Sequence, residues 1–336
     1  MATRAEAAGF DGMVVVDSQN LAGEVYVALT SAAHVTDRLL LGTGVTNPFT
    51  RHPAVTASAI ASVHVESGGR AVLGVGRGDS ALAHLGHAPA GVAHLARYVE
   101  VVQAYLRGEE VPFDALAPFA PSSPPPPVDA LGLDATAPSS RLHWLPPDLP
   151  KVPVDVAATG PRVIDVAARL ADRVTLGVGA DADRLRWAID RVRAAGRDVG
   201  IGAFVNVVAH PDVEVARKLA SGGMSTFARF NVMHGRTAGP LFDGGTETLT
   251  RLRNSYDMRQ HTRADSPQAA QLDDDFVDRF GIVGAPNHCV ERLHEMAALG
   301  IDRFVIVGPS LGADRDQAAA ATERFVSEVL PALHAF

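Results

Sequence analysis

Residues 41–86, LGTGVTNPFTRHPAVTASAIASVHVESGGRAVLGVGRGDSALAHLG, decide the fold of this chain. They read in order as a strand, an irregular turn rich in Gly, Thr, Asn and Pro, a helix, a Gly-Gly turn, a second strand and a glycine-rich turn. A helix between two strands is typical of a parallel pair, whose strands end at the same edge of a sheet. In α/β folds such strand ends form ligand sites. We therefore expect the chemistry of this protein to occur there.

The rest of the chain repeats the alternation of short apolar runs with helical periodicity. This pattern predicts repeated βα units around a parallel sheet. Strands are predicted at Gly12–Val16, Leu39–Gly42, Ala71–Val75, Pro153–Ala157, Arg173–Val178, Ile201–Val208 and Arg303–Val307. A complete (β/α)₈ barrel needs one strand more than these. Arg4–Ala8 is predicted to be the end of a first helix that Gly9 terminates.

Composition limits the classes of protein to which the chain can belong. With 336 residues, 47% of them hydrophobic, it can bury a large core, and its length suits one α/β barrel or two smaller domains. The net charge of −8 argues against a nucleic-acid or anionic-membrane surface. No apolar signal-peptide core or stretch of transmembrane length is present, so we expect a soluble cytoplasmic protein. The single cysteine, Cys289, is expected to be a buried thiol, and it excludes a disulfide framework.

Three motifs in the opening stretch carry a resemblance to a known family. They are Gly42–Pro48 (GTGVTNP), Arg51–Ala57 (RHPAVTA) and Gly74–Asp79 (GVGRGD). The chain resembles the luciferase-like family of flavin- and deazaflavin-dependent oxidoreductases, and within it most closely the methylenetetrahydromethanopterin reductase branch. Weaker similarity continues through Ala157–Pro161, Phe280–Gly281 and Gly308–Pro309. The resemblance implies an α/β fold, a TIM-barrel-like (β/α)₈ parallel barrel forming a single domain over residues 1–336.

The family's first strand would precede the first helix predicted here. We therefore expect either that the gene start was set too late or that another segment closes the barrel. A missing strand leaves unpaired edges that must be covered. Dimerisation is usual in the family, commonly through helices that follow the early strands, and the resemblance implies a homodimer that buries the helix His52–Glu66. The alternative is that the apolar face of this helix packs on the barrel.

Two insertions interrupt the regular units. Residues 110–151 contain a proline-rich run and little periodicity, which predicts either a long loop that acts as a lid over the strand ends or a disordered surface excursion. Residues 212–280 are predicted to be mainly helical. Within them Phe227, Phe230, Met233 and His234 are either pocket-lining or plain core residues.

The first candidate site follows the strand Gly12–Val16, where the chain reads Asp17-Ser18-Gln19-Asn20. In deazaflavin-dependent relatives the matching position often carries Asp-His, so Ser18 stands where they have a histidine near the reacting carbon of the cofactor. A serine donates a hydrogen bond but does not shuttle protons at neutral pH, which argues against histidine-based alcohol dehydrogenation. Asp17 and Asn20 are candidates to bind cofactor or substrate, and the alternative is that Asp17 only caps the following loop.

The two strand ends of the opening stretch supply further candidates. By resemblance, a bulge with a non-prolyl cis peptide between Gly44 and Val45 backs the central ring of the cofactor, together with Thr46; the alternative is an ordinary β-bulge. Asp79 stands where related enzymes carry an acidic residue beside the cofactor. It could act as acid or base if desolvated, or serve as a helix N-cap.

The best anion site in the sequence is the segment Ala158-Thr159-Gly160-Pro161. Pro161 suits the first turn of a helix, and the backbone amides of Thr159 and Gly160 would point toward a phosphate. Gly177-Val178-Gly179, at the next strand end, could complete this site, since barrels bind phosphate with adjacent late loops. By its position in the family pattern, we assign both segments to cofactor binding.

Other cofactor and nucleophile motifs are lacking. No Walker loop, Rossmann GxGxxG unit or Gly-x-Ser-x-Gly elbow occurs. The histidines show no His-x-x-x-His pair framed by acidic ligands, so no metal site is predicted. His52, His84 and His87 lie near the strand ends and are interpreted as structural.

The leading hypothesis is a two-electron oxidoreductase that uses the 8-hydroxy-5-deazaflavin coenzyme F420. Hydride would pass to or from an activated C=N, C=C or C=O group of a small organic substrate, while Asp17, Ser18 and Asp79 orient the reactants or handle a proton. One alternative is an FMN-dependent monooxygenase of the same family. Another is a cofactor-binding or structural protein without turnover, which the missing strand and the absent histidine suggest.

Overall fold

The computed structural model describes residues 1–334. The chain divides into two compact units: unit 1 comprises Met1–Glu6 and Asp11–Asp155, and unit 2 comprises Ala7–Phe10 and the chain from Val156 onward. In both units parallel strands alternate with helices, as the βα pattern predicts.

Unit 1 holds three strands and their connecting helices. Its strands are β1 (Gly12–Val15), β2 (Leu40–Thr43) and β3 (Ala71–Val75). Its helices are α1 (Ala2–Ala7, which runs into unit 2), α2 (Val25–Ala33), α3 (Pro53–Glu66), α4 (Asp79–Ala83), α5 (Val92–Leu106) and α6 (Phe113–Leu116), with 3₁₀ turns at Ala117–Phe119 and Val128–Leu131. Gly9, just after α1, has φ 95°, the left-handed conformation expected of a helix-terminating glycine.

The strands of unit 1 lie in chain order and in parallel register. Gly12 is opposite Leu40, and Leu41 is opposite Ala71. Alternate side chains of β2 and β3, including Leu41 and Leu73, are completely buried, and α2 and α3 contact β2 and β3 respectively. The other alternate positions of these strands are Leu40 and Gly42 in β2 and Val72 and Gly74 in β3.

Unit 2 holds the remaining strands. They are β4 (Val154–Ala158, which begins in unit 1), β5 (Arg173–Leu176), β6 (Gly200–Ala209), β7 (Ile282–Gly284) and β8 (Arg303–Val307). The helices are α7 (Pro161–Leu170), α8 (Ala182–Arg193), α9 (Val213–Phe230), α10 (Gly245–Ser255), α11 (Asp274–Phe280), α12 (Pro286–Ala298), α13 (Arg315–Arg324) and α14 (Leu330–His334), with 3₁₀ turns at Met258–Gln260 and Ala269–Gln271 and a π-helical turn at Phe325–Val329.

Strand β6 is the centre of unit 2. It pairs in parallel with β5, where Leu176 is opposite Ala203, and with β8 along Gly202–Asn206. Its last three residues pair with β7. A buried cluster packs α9 and α11 against this end of β6, with Phe276 and Phe280 stacked at a centroid distance of 5.2 Å.

The predicted strands are all present, with ends shifted by no more than two residues. One strand was not predicted: β7, only three residues long, follows α11 directly. Three residues are too few to show an alternation of apolar and polar side chains. Strand β7 exists because the end of β6 offers it a backbone partner, and only tertiary structure shows this.

The two inserted regions have definite local structure. Between α5 and β4 the chain makes only short helical turns, and an antiparallel bridge joins Val111 to Ser140. Between β6 and β7 it forms α9, α10 and α11. Over residues 1–334, no helix combines the length and the apolar character needed to cross a membrane. Cys289 is completely buried, and burial raises the pKa of its thiol to about 12, as expected of an inert core cysteine.

Candidate functional site

The ends of β1, β2 and β3 approach one another so closely that only glycine fits at two positions. A Cβ atom on Gly44 would lie 2.6 Å from Cγ2 of Val14, and one on Gly74 would lie 2.0 Å from the carbonyl oxygen of Thr43. Contacts below 3 Å are not tolerated by real Cβ atoms. The glycines that the sequence placed at these strand ends are therefore required by backbone packing.

The segment after β2 has the unusual backbone that the resemblance implied. The peptide bond between Gly44 and Val45 is cis, which confirms that prediction. Beyond it, the Thr46 amide donates to the carbonyl of Gly74 and the Gly76 amide donates to the carbonyl of Thr46, both at 2.9 Å. Two backbone hydrogen bonds thus hold the segment against the end of β3.

Asp17 lies under this segment as a buried, fully engaged carboxylate. Its side chain is 3% exposed. One carboxylate oxygen, Oδ2, accepts hydrogen bonds from Thr46 Oγ1 at 2.6 Å and from Arg51 Nη1 at 2.5 Å, and the other accepts from Gln19 Nε2 at 3.4 Å. Because its two shortest bonds come from residues far along the chain, Asp17 does more than cap the loop that follows it.

Arg51 is a site residue that the sequence reasoning missed. Its guanidinium joins Asp17 to Glu24, whose Oε1 accepts from Nη2 at 2.6 Å, and it lies 5.0 Å from the ring centroid of Tyr26. Burial lowers the pKa of Arg51, but the hydrogen bond and the charge of Asp17 outweigh that effect and raise it. In the sequence, Arg51 is marked only by its place in the motif Arg51-His52-Pro53. The motif does not show which carboxylate the Arg51 guanidinium binds.

The loop after β1 places Ser18 and Asn20 differently. Ser18 is partly exposed, and its carbonyl accepts from the amides of Leu21 and Ala22, both at 2.9 Å. Asn20 donates from Nδ2 to the carbonyl of His84 at 3.2 Å. Asn20 therefore ties the loop to the end of α4, whereas the hydroxyl of Ser18 makes no hydrogen bond within residues 1–334.

Asp79 is the first residue of α4 rather than its N-cap, which corrects the capping alternative. The N-cap is Gly78, with φ 79°. A Cβ atom on Gly78 would lie 2.5 Å from Cβ of Asn47, so neither its conformation nor its surroundings admit a side chain. Asp79 is half-buried in the first helical turn, where the helix dipole favours its negative charge.

Aromatic rings and histidines form a cluster at the start of α3 and α5. His52 caps α3, accepting the Ala54 amide on Nδ1 at 3.2 Å, and burial lowers its pKa, so the structural interpretation of His52 agrees with these contacts. Phe49 stacks on His94 with centroids 4.5 Å apart. Phe119, from the insertion 110–151, meets the edge of His94 at 5.2 Å. The insertion is thereby packed against the segment that follows β2.

In unit 2, the segment after β4 forms the helix start that the sequence predicts. Gly160 is the N-cap of α7 and Pro161 its first residue. No heavy atom lies within 4 Å of the position a Gly160 Cβ would take. Within residues 1–334, neither the Thr159 nor the Gly160 amide donates a hydrogen bond, so both are available to an anion.

The loop after β5 lies against this helix start. The Gly177 amide donates to the carbonyl of Ala158 at 2.9 Å, and a Cβ on Gly177 would be 3.4 Å from Oγ1 of Thr159. Val178 is completely buried, and Gly179 has φ 87° with Phe280 close behind it. The structure thus brings together the two segments that were assigned to cofactor binding.

Two residues that the sequence did not single out, Asn231 and Arg184, support the Gly177–Gly179 loop, the first directly and the second through Asn231. Asn231 donates from Nδ2 to the carbonyl of Gly177 at 3.1 Å. Its Oδ1 accepts from Nη2 of Arg184 at 2.8 Å. Arg184 is one of several arginines on α8, and nothing in the sequence marks it as the buried one.

The aromatic residues of α9 are partly core and partly accessible. Phe227 contacts Phe204 and Phe230, with centroids 5.5 and 5.6 Å apart, and is partly buried. Met233 is half-buried and His234 is exposed. Whether any of the four lines a pocket stays a prediction. No group of three or more His, Cys, Asp or Glu side chains within residues 1–334 is arranged to hold a metal ion.

Parallel βα units with glycine-rich, polar strand ends define a class, the TIM-barrel-like α/β proteins. The sequence profile of the luciferase-like monooxygenase family matches residues 1–303. The chain therefore belongs to the luciferase-like family.

Two named relatives match nearly the full chain. A 5,10-methylenetetrahydromethanopterin reductase from Methanolobus tindarius is 26% identical, over 94% of this chain and 90% of its own. An F420-dependent glucose-6-phosphate dehydrogenase from Beutenbergia cavernae is 29% identical, over 98% of this chain and 91% of its own. Both are named as oxidoreductases, which agrees with the enzyme class that the resemblance implied.

A solved structure shows the same fold. The coenzyme F420-dependent tetrahydromethanopterin reductase from Methanopyrus kandleri superimposes with a TM-score of 0.68 at 22% sequence identity, covering 98% of this chain and 94% of the other. This likeness confirms the predicted TIM-barrel-like α/β fold.

Proposed function

We propose that this protein is an F420-dependent oxidoreductase that transfers a hydride to or from an activated C=N, C=C or C=O group of a small organic substrate. The observation that carries the proposal is the contact between the Thr159–Gly160 segment and the Gly177–Gly179 loop. Both follow strand ends, and the partly exposed Thr159 and Gly160 carry backbone amides suited to a phosphate, with the Gly177–Gly179 loop packed beside them. The F420-dependent dehydrogenase from Beutenbergia cavernae and the F420-dependent reductase from Methanopyrus kandleri favour the deazaflavin over other phosphate-bearing cofactors.

The residues of unit 2 fit the phosphate-bearing side chain of such a cofactor. The start of α7 presents the amides of Thr159 and Gly160 together with the positive end of the helix dipole. Because nothing lies within 4 Å of a Gly160 Cβ position, an anion can approach the backbone there. Ala158, Pro161, Val178 and Gly179 shape the two segments, and their assignment to binding rests on this proposal.

The residues of unit 1 suit the reacting end of the cofactor. The deazaflavin, when bound, supplies the carbon that gives or receives the hydride. Gly44, Val45 and Thr46, at the cis peptide after β2, are assigned to the surface against which the planar ring lies, and Gly44 and Val45 are partly exposed there. Asp17, whose Oδ2 accepts hydrogen bonds from Arg51 and Thr46, acts as a fixed acceptor that orients this segment.

Proton handling falls to the other two candidates. Ser18 can donate a hydrogen bond to the substrate from its partly exposed hydroxyl. Asp79 is half-buried at a helix start, where its carboxylate can hold or release a proton to a polar group of the substrate. Asp17 is less suited to this task because its Oδ2 already accepts two short hydrogen bonds.

Titration of the purified protein with F420 and with FMN, followed by fluorescence quenching, tests the cofactor assignment. We expect saturable quenching of the deazaflavin at lower protein concentration than quenching of FMN. Tighter binding of FMN, with oxygen consumption in the presence of reduced flavin, would instead establish the monooxygenase alternative. Binding of F420 without hydride exchange against any reductant or oxidised substrate would favour a non-catalytic protein.

A further inference from the structure

Arg184 is a buried cation without an acidic partner. It is 1% exposed, and no carboxylate within residues 1–334 forms an ion pair with its guanidinium; the charge of Asp181 acts on it from beyond ion-pair distance, and its Cζ lies 5.8 Å from the ring centroid of Trp187. Its Nη1 donates to the carbonyl of Pro240 at 2.9 Å and its Nη2 to Oδ1 of Asn231 at 2.8 Å, while Nε has no hydrogen-bond partner. Buried charges are normally paired, so an unneutralised arginine indicates either a costly structural element or a role toward an anion.

The hydrogen bonds of Arg184 lead to one of the proposed phosphate-binding segments. Asn231 accepts from Arg184 with its side-chain oxygen and donates with its nitrogen to the carbonyl oxygens of Gly177, at 3.1 Å, and Phe227, at 2.9 Å. An amide that accepts on one side and donates on the other is fixed in orientation. The charge of Arg184 further polarises the Asn231 amide and strengthens its bond to Gly177.

The hydrogen bonds from Arg184 to Asn231 and from Asn231 to Gly177 fix the orientation of the peptide plane that follows β5. In a trans peptide the carbonyl and the next N–H point in opposite directions. Because Asn231 holds the Gly177 carbonyl, the Val178 N–H of the same peptide plane is directed away from Asn231. Val178 is completely buried, so the amides open to an anion are those of the partly exposed Thr159 and Gly160. The Gly177 residue that Asn231 holds donates its own amide to the carbonyl of Ala158, directly before Thr159, and so ties the two segments together.

We propose that Arg184 and Asn231 are positioning residues for cofactor phosphate: they orient the Gly177–Val178 peptide and supply the positive potential that the bound phosphate neutralises. This inference rests on the proposed function and adds to it the residues that set the preference for a phosphorylated cofactor. Asp181 does not neutralise the Arg184 guanidinium through an ion pair, because its side chain caps α8 by accepting the Arg184 backbone amide at 3.1 Å. Burial lowers the pKa of Arg184 to about 10, opposed by the charge of Asp181, so the guanidinium stays protonated at neutral pH.

The test compares a cofactor that carries phosphate with one that lacks it. Dissociation constants are measured for F420 and for the same deazaflavin whose ribityl chain ends in a hydroxyl, and their ratio defines the phosphate preference. In Asn231→Asp the new carboxylate can pair with Arg184, which offsets part of the loss of the hydrogen bonds to the Gly177 and Phe227 carbonyls, and it cancels the positive charge. We expect a cooperative thermal transition, which shows that the variant is folded, and a phosphate preference that falls about tenfold or more.

Further variants separate positioning from general stability. Arg184→Gln should reduce the preference in the same way, and Arg184→Lys, which keeps the charge, should restore part of it. Arg186→Gln is the matched control, because Arg186 lies on the same helix but is 57% exposed and pairs with Asp183 at the surface. Its phosphate preference should equal that of the wild type.

The two proposals fail in different ways. If the wild type binds neither deazaflavin, the proposed function falls and this inference with it. If the wild type prefers F420 and folded Asn231→Asp keeps the same ratio of dissociation constants, the proposed function stands and the positioning role is wrong. Equal weakening of both ligands in every variant would show that Arg184 and Asn231 only support the fold.

Discussion

At the scale of single residues, Asp17 illustrates how a buried charge is made tolerable. Its carboxylate is 3% exposed and bound to Arg51, which is itself 15% exposed and also bound to Glu24. Such a pair is weak evidence of net stabilisation, but removing one partner leaves an uncompensated buried charge. The two members must therefore be changed together if their individual effects are to be interpreted.

Replacing Arg51 by Gln should lower the free energy of unfolding by about 3 kcal/mol, because Asp17 is then left buried without its cation. The double variant Asp17→Asn/Arg51→Gln should recover at least half of this loss, since the remaining groups are neutral. Chemical denaturation of both variants measures the difference. A double variant less stable than Arg51→Gln alone would show that charge compensation is not what joins the two residues.

Two glycines with the same backbone conformation allow a second residue-level test. Gly78 and Gly86 both have φ 79°. A Cβ on Gly78 would lie 2.5 Å from Cβ of Asn47, whereas nothing lies within 4 Å of one on Gly86. Gly86→Ala should cost about 1 kcal/mol for the left-handed conformation, and Gly78→Ala at least about 1 kcal/mol more for the collision. Equal unfolding free energies for the two variants would contradict a steric collision between a side chain at position 78 and Asn47.

His64 should make stability depend on pH. Its Nε2 donates to the carbonyl of Pro150 at 2.9 Å and its Nδ1 accepts the Ala71 amide at 3.2 Å, which ties α3 to β3 and to the end of the insertion. Burial lowers the pKa of His64 below its usual 6.5, and the two hydrogen bonds only partly oppose this. The contribution is therefore present above pH 6.5 and is lost as the pH falls from there through the lower native pKa.

His64→Gln should show a smaller loss of unfolding free energy on acidification through pH 6.5 than the wild type. His143→Gln, at an exposed position of the insertion, serves as the control and should leave the pH dependence unchanged. Urea denaturation at a series of pH values gives both curves. Parallel curves for wild type and His64→Gln would rule out a native-state pKa shift at this histidine.

At the scale of elements, the start of α7 is the part of the candidate site that is easiest to alter. Gly160 has φ −97° and open space around it, so alanine fits there without strain. Gly160→Ala should leave F420 affinity nearly unchanged, whereas Gly160→Glu should weaken it at least about tenfold by placing a carboxylate where the phosphate binds. Fluorescence titration distinguishes the two. Unchanged affinity in the glutamate variant would remove the α7 N-terminus from the binding site.

The insertion 110–151 is an element whose role stays a prediction. It is attached to unit 1 by the bridge between Val111 and Ser140, by the ring contact of Phe119 with His94, and by the bond between His64 and Pro150. Most side chains between these attachments are exposed. The lid and the surface excursion both stay predictions for this exposed part of the insertion.

At the scale of the whole molecule, the exposed faces of α2 and α3 indicate where two copies of the chain could associate. The helix α2 contains no charged residue, and α3 contains only Glu66 apart from its histidine. Val27 and Val55 are 66% and 55% exposed. Exposed valines on helices so poor in charge are typical of a protein–protein contact.

We therefore expect a homodimer that buries the outer face of α3, in agreement with the resemblance. Val55→Glu should convert it to a monomer, because a carboxylate in an apolar contact is left without a partner. Val213→Glu, at a 38% exposed valine of α9, is the control and should remain dimeric. Sedimentation equilibrium measures both. A monodisperse wild-type monomer at micromolar concentration would refute the dimer.

The sequence by itself determined the α/β class, every strand found within residues 1–334 except β7, the glycines at 44, 74 and 78, and the helix start at Pro161. Each of these rests on a local signal: a periodicity of apolar residues, a glycine where backbones meet, or a proline in a first helical turn. The positions of the two segments proposed to bind phosphate, 158–161 and 177–179, could also be predicted, because both follow predicted strands.

Only the tertiary structure decided which side chains hold the segments that follow β1 and β5 in place. Arg51 reaches Asp17 across 34 residues of chain, and Asn231 reaches Gly177 across 54. The short strand β7 likewise depends on the end of β6. Nothing in a local pattern distinguishes a buried arginine from its exposed neighbours on the same helix. The partners of polar groups are set by which elements pack together, and so the residues that position the site could not be predicted from the sequence alone.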